Sequence, residues 1–213
     1  MNLRRVSAPC FAAVLALMLA SPGLADYPVH EIWIGGGGAS SSESSIFNVP
    51  SDLKFKPEAV FSLGYMHNYD ERRAMGFHIY GASETTPDVA LIGPSGLTTT
   101  TFDLYTYNFG VRYRQTFLRG GISPYAFVGA SFASGSVESK ATGGLNSSGF
   151  SVCLGPGAAV ALGRSFMLSA DLFGSFGSAK WKEKPFANST SDKFDPSLIG
   201  GTLNISFVWG SNQ

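Results

Sequence analysis

Residues 103–115, DLYTYNFGVRYRQ, constrain the fold more than any other stretch of the chain. Tyr105, Tyr107, Phe109, Val111 and Tyr113 fall on one parity, and Leu104, Thr106, Asn108, Gly110, Arg112 and Arg114 on the other. Successive side chains of a β-strand point to opposite faces, so this is a two-faced strand. One face is large, aromatic and uncharged; the other is polar, small or cationic. A soluble sandwich strand turns the aromatic face inward. A strand of a membrane barrel turns it to lipid and keeps the polar face in the lumen. Alternation alone fits both, and the remainder of the chain has to choose.

The N-terminus reads as a secretory signal. Arg4 and Arg5 form a positive start, residues 11–19 an apolar run too short to span a bilayer, and Gly23, Leu24 and Ala25 a small-residue cleavage site. Cleavage after Ala25 gives a division into a signal at 1–25 and one domain at 26–213. Lipidation at Cys10 is not expected, because Pro9 precedes it and no lipoprotein cleavage pattern surrounds it. Loss of Cys10 leaves Cys153 alone and rules out an internal disulfide in the mature chain. No later stretch approaches the roughly 20 apolar residues of a membrane helix, so a membrane placement has to use strands. Charge is balanced, with 15 basic and 15 acidic residues, which gives no electrostatic footprint for nucleic acid.

Eight alternating segments follow the signal, at about 29–38, 59–69, 74–83, 103–115, 122–133, 149–161, 165–176 and 198–210. Ile32 and Ile34 oppose Glu31 and Trp33 in the first. Phe61, Leu63 and Tyr65 oppose Ser62, Gly64 and Met66 in the second, and Met75, Phe77 and Ile79 oppose Gly76, His78 and Tyr80 in the third. The fifth sets Ala126, Val128, Ala130 and Phe132 against Tyr125, Phe127, Gly129 and Ser131. The sixth sets Phe150, Val152 and Leu154 against Ser151, Cys153 and Gly155. The seventh and eighth set Leu168, Leu172, Leu203, Ile205, Phe207 and Trp209 against Ser169, Asp171, Thr202, Asn204 and Ser206.

Two regularities choose the membrane. The connections alternate long and short along the whole chain, as an up-and-down membrane barrel with long outer loops and short periplasmic turns requires. Apart from Asp103 at the very start of the fourth segment, the apolar parity carries no Lys, Arg, Asp or Glu, whereas Glu31, Arg112, Arg114 and Asp171 all fall on the other parity. An arginine on the lipid face at mid-membrane would cost about 2–4 kcal/mol, so the lumen is the inexpensive place for these charges. The expected fold is all-β: an eight-stranded antiparallel up-and-down transmembrane β-barrel. A barrel of this size has an interior just wide enough for side chains to fill. The expected lumen is a packed polar core, with both chain ends on the periplasmic side.

With the signal, the loop rhythm, the Ser123-Pro124-Tyr125-Ala126-Phe127-Val128-Gly129-Ala130 stretch and the apolar last strand, the chain resembles the small outer-membrane β-barrels of the OmpA, OmpX and OmpW type. The resemblance covers residues 26–213. It implies an outer-membrane location in a Gram-negative-type cell, insertion by the barrel-assembly machinery, and contact with outer-membrane lipids and lipopolysaccharide. Members ending with the barrel usually finish on an aromatic residue; here Gly210-Ser211-Asn212-Gln213 follows Trp209. No peptidoglycan-binding segment is expected, and no wall-anchoring role.

Glu31, Arg112, Arg114 and Asp171 are the candidate lumen ion network, either rigidifying the barrel or gating it. Lys180, Lys182 and Lys184, beside Trp181 in the last outer loop, are candidates for contact with lipopolysaccharide phosphates or a host surface. No catalytic residue, cofactor or metal is expected. A related lipid A deacylase uses a His-x-Ser pair, and none of His30, His67 and His78 is followed by Ser two residues on. The three histidines are too dispersed for a metal site, and the glycines at 35–38 lack the Gly-Lys-Ser/Thr of a phosphate loop. The expected role is structural or surface-interactive, in envelope integrity or adhesion. The rivals are a narrow pore for small solutes, a lipid-modifying enzyme, and a soluble lipocalin-like binder, which would invert every facing.

Overall fold

The computed structural model describes residues 27–41, 56–85, 89–93, 96–101, 103–139, 143–182, 193–194 and 197–211. The signal region and residues 42–55, among others, lie outside them. The strands in chain order are β1 (Pro28–Ser41), β2 (Lys56–Asn68), β3 (Arg73–Thr85), β4 (Val89–Gly93), β5 (Gly96–Thr100), β6 (Asp103–Thr116), β7 (Ser123–Ser139), β8 (Gly143–Ala161), β9 (Phe166–Trp181), β10 (Lys193–Phe194) and β11 (Leu198–Ser211).

Eight of them close into one antiparallel barrel in the circular order β1-β2-β3-β6-β7-β8-β9-β11. Closure is made by β11 lying along β1, from Pro28 opposite Ser211 to Ser41 opposite Leu198. Among these eight, each strand pairs with the next of the eight along the chain, and the seam joins the last to the first. The turns at 69–72, 117–122 and 162–165 are short and share one end with Tyr27 and Ser211, the end that membrane barrels with short turns place in the periplasm. At the first turn the Asp70 carboxylate accepts the Arg72 and Arg73 amides, both at 2.8 Å, and pairs with the Arg73 guanidinium. These hydrogen bonds, the Arg72 amide foremost, hold the Asp70 carboxyl below the ordinary carboxylate range.

The two faces of each strand fall as the alternation requires. Ile34 is 67% exposed, Leu172 65% and Phe150 75%, whereas Glu31, Asp171 and Arg112 are buried. A continuous belt of exposed apolar side chains on a protein whose interior holds the charges is a surface made for lipid. At the periplasmic rim of this belt the rings of His30, Tyr65, His67, Phe207 and Trp209 pack in a band, with His30 Nδ1 2.8 Å from the Tyr65 hydroxyl and the His30 ring stacked on Trp209. Aromatic girdles of this kind mark the membrane interface of barrels.

The structure departs from expectation at the outer ends. The polar segment 134–148, read as a connection, is mostly paired strand: β7 and β8 run in register from Ser134 opposite Ser148 to Ser139 opposite Gly143. Likewise β9 continues to Trp181. Above the membrane the outward face meets water instead of lipid, so small and polar residues stand on both faces and the contrast in residue type that reveals a strand disappears while the backbone ladder goes on. The long third connection holds the separate hairpin of β4 and β5.

Candidate functional site

The lumen is the site. Strand β6 reaches it with Arg112 and Arg114, two positions apart on the inward face. Each arginine spans the barrel to the opposite wall. Arg112 makes a bidentate pair with Asp171 on β9, Nη1 to Oδ2 at 2.9 Å and Nη2 to Oδ1 at 3.0 Å. Arg114 pairs through Nη2 with Glu31 Oε2 on β1 at 2.6 Å. In the circle of strands β9 and β1 each stand three places from β6, so the two pairs are spokes in different directions, one tier above the other.

Burial of four charges requires further partners, and the neighbouring strands supply them. Arg112 Nη1 also donates to the Tyr80 hydroxyl at 2.8 Å, and its guanidinium lies 3.7 Å over the Phe127 ring. Asp171 accepts the Tyr125 hydroxyl at 2.7 Å and the Asn204 amide at 3.3 Å, while Ser62 donates to Asn204 Oδ1. In the lower tier Glu31 accepts the Ser206 hydroxyl at 2.8 Å, and Arg114 donates to Asn68 Oδ1 at 3.2 Å. Gly157 makes the upper tier possible: a Cβ there would overlap the Tyr125 ring and stand 2.7 Å from Asp171 Oδ1. Gly64 does the same for the Trp33 indole.

Space inside is scarce. Between the two tiers, bounded by Trp33, Met66, Tyr125 and Asn204, about 10 Å³ is open, the volume of one water at most. Below Arg114 a vestibule of about 30 Å³ faces the periplasm, lined by Thr116, Arg119 and Ser123. Toward the outside the expected polar filling is shared with an apolar cluster, set among buried polar residues such as Thr106, Asn108, Ser151 and Ser175. Val60, Tyr80, Ala82, Phe127, Phe173 and Leu198 pack together above the ion pairs, with Tyr80 stacked on Phe173 at 5.1 Å. Phe173 and Val60 sit on the inward parity in the sequence, which an apolar lumen residue shares with a polar one.

Sequence reasoning also missed Tyr80, Tyr125 and Asn204, all inward-parity residues whose role depends on which strands face each other across the lumen. A second buried cluster joins His78 Nε2 to Ser131 Oγ at 2.8 Å, with Cys153 Sγ 3.7 Å away. No described side chain bonds His78 Nδ1, so among the described residues no carboxylate completes a catalytic triad there. His30 and His67 face each other across β1 and β2 on the outer surface, apart from His78. No group of three or more His, Cys, Asp or Glu side chains able to hold a metal occurs among the described residues.

The lysines are not part of this network. Lys180 stands exposed on the outward face of β9 near its outer end, and Lys182 is exposed just beyond. The Trp181 side chain and Lys184 lie outside the described residues.

A closed eight-stranded antiparallel wall, an apolar exterior with an aromatic rim and ion pairs locked in the lumen define a transmembrane barrel of the outer-membrane type. Residues 11–207 match the family of the outer membrane protein beta-barrel domain, and the chain belongs to it. Among solved structures it is similar to Neisserial surface protein A, at 13% identity and a TM-score of 0.51, over 84% of this chain and 97% of that one. It is also similar to Ail, the attachment invasion locus protein of Yersinia pestis, at 13% identity and a TM-score of 0.45, over 84% and 96%. A major outer membrane protein from Thermus thermophilus matches at 12% identity and a TM-score of 0.43, over 84% and 98%. No curated protein matches the chain in sequence.

Proposed function

We propose that this outer-membrane barrel is a sealed, structural element of the envelope that works through its outward-facing surface and loops rather than through its lumen. The carrying observation is the double plug: two crossing ion pairs below and an apolar cluster above, with about 10 Å³ of open space between the tiers. Glu31, Arg112, Arg114 and Asp171 act in this reading as struts that fix strands β1, β6 and β9 against one another. The reading includes a leader at residues 1–25 removed on export, insertion by the barrel-assembly machinery, and contacts with lipid or a host surface made by the outer loops. It includes no catalytic step. His78 and Ser131 are buried inside the lumen, where a lipid substrate has no approach.

Planar-bilayer recording of the refolded full chain tests this. Steady conductance is expected to be absent in the native protein, and to appear when Arg112→Ala and Phe173→Ala together open both plugs. Sustained channels in the native protein, altered by Glu31→Gln or Arg112→Gln, would overturn the sealed reading in favour of a gated narrow pore.

A further inference from the structure

We propose that the outward face of β6 to β9, at the outer end of the barrel, binds a phosphorylated, acylated glycolipid of the outer leaflet. One acyl chain lies in a groove over Ala130, and the anionic headgroup meets Lys180 and Lys182. This site depends on the outer-membrane placement alone and is independent of whether the lumen conducts.

The groove is the first observation. On the lipid side the small Ala130 sits between Val111 on β6 and Val152 on β8, its register partners. Phe109, Phe132, Phe150 and Phe176 rise around it, with Phe132 and Phe150 edge to face at 6.0 Å. Between them lies a shallow groove of about 590 Å³, open on the lipid side. Its walls are almost wholly apolar, which suits a hydrocarbon chain.

The second observation is what stands directly above. Phe109, Phe132, Phe150 and Ser178 form one outward row across the four strands. The next row outward is Tyr107, Ser134, Ser148 and Lys180. The row beyond has Tyr105, Ser136 and Asn146, with Lys182 beside it, its amide bonded to the Asn146 carbonyl at 2.9 Å. Lys193 on β10 is the register partner of Lys180. The acidic residues of this face, Asp103 and Glu138, lie at the β6–β7 side, a row further out. Successive outward residues are about 7 Å apart along a strand, so cations stand within one headgroup's reach of an aromatic-walled acyl groove. Hydroxyls and an amide between them match sugar oxygens, and two exposed lysines match phosphate, to which a lysine offers a mobile point charge. A phospholipid with a single phosphate and no sugar would use only part of this surface.

The test is a native mass spectrometry titration of the detergent-solubilised full chain. The probes are bisphosphorylated lipid A, its dephosphorylated form, and phosphatidylglycerol. The native protein is expected to retain bisphosphorylated lipid A in preference to both others. Lys180→Gln with Lys182→Gln should weaken that binding about tenfold and erase the phosphate preference. Ala130→Phe fills the groove and should weaken all acylated probes while leaving the phosphate preference intact; Ala130→Leu serves if the larger change impairs folding. Unboiled gel mobility confirms that each variant is a closed barrel. Equal retention of phosphatidylglycerol, no lipid retention by the native protein, or unchanged binding in both variants would each overturn the proposal.

Discussion

Replacing Asp171 by alanine should destabilise the barrel more than any other single truncation of the ion network. Among the described residues Asp171 is the only carboxylate that Arg112 meets, and it accepts two arginine N–H groups, the Tyr125 hydroxyl and the Asn204 amide. Its removal leaves a buried guanidinium with the Tyr80 hydroxyl and the Phe127 ring as partners, and only the room vacated by the carboxylate for water to take its place. Breaking a buried pair in this way costs about 3–5 kcal/mol, most of it the uncompensated charge left behind. Glu31→Ala removes the lower pair, but Arg114 keeps Asn68 and lines the periplasmic vestibule, where water can reach it. Its cost should therefore be smaller, about 1–3 kcal/mol, the penalty of an unmade buried hydrogen bond. Exchanging both upper partners, Arg112→Met with Asp171→Leu, removes the charge with its counter-charge and should recover most of the loss. The assay is urea unfolding of the chain refolded into lipid vesicles, followed by tryptophan fluorescence and analysed by linear extrapolation. A loss below about 1 kcal/mol for Asp171→Ala, or a double variant no more stable than the single, would refute the strut role of the network.

Other expectations follow from the same geometry. Val111→Arg places a cation on the lipid face between Phe109 and Tyr113 and should cost about 2–4 kcal/mol in the same unfolding assay, whereas Ser178→Arg, nearer the outer interface, should cost at most about 1 kcal/mol. Gly157→Ala drives a methyl into the Tyr125 ring and should cost about 1–3 kcal/mol, with loss of the unboiled gel band at lower temperature. The Asp70 turn contributes stability that is present at neutral pH, above the unfolded carboxylate pKa of about 3.9, and is lost as pH falls through the lowered folded value. Asp70→Asn should abolish that acid-side change in the Arg72 and Arg73 amide signals, read by NMR in micelles.

The membrane-level wall was legible in the sequence because lipid on one side and a packed lumen on the other force a strict two-residue period. Ile32 against Glu31, Phe109 against Arg112 and Leu203 against Asn204 each declare their face without reference to any other strand. Where that contrast ends, legibility ends: Ser134, Ser136 and Ser148 carry no facing signal, yet their backbones pair. The charged lumen residues were visible for the same reason as the wall. Their pairing was not, because Arg112 with Asp171 and Arg114 with Glu31 depends on which strands stand opposite in a closed circle. That relation follows from closure and stagger, not from local pattern. The apolar cap of Val60, Phe173 and Leu198 was hidden by a different cause: inside a barrel an inward apolar residue and an inward polar one obey the same parity.

The seam between β1 and β11 has a consequence for how the molecule comes to exist. Every other strand pair can zip from a neighbour already in place, across a turn or loop. The seam joins Pro28 to Ser211 and must wait for almost the whole chain. Until then two open edges and a full belt of exposed hydrocarbon coexist, a state prone to pairing with other chains. Native contacts of such long sequence separation are slow to form. Gly35, Gly37 and Gly200, whose Cβ atoms would collide with the facing strand, let the two edges meet without side chains in the way. What these glycines protect is the finished seam: a side chain at any of them would meet the facing strand only once the barrel is closed, so its whole cost falls on the last step of assembly.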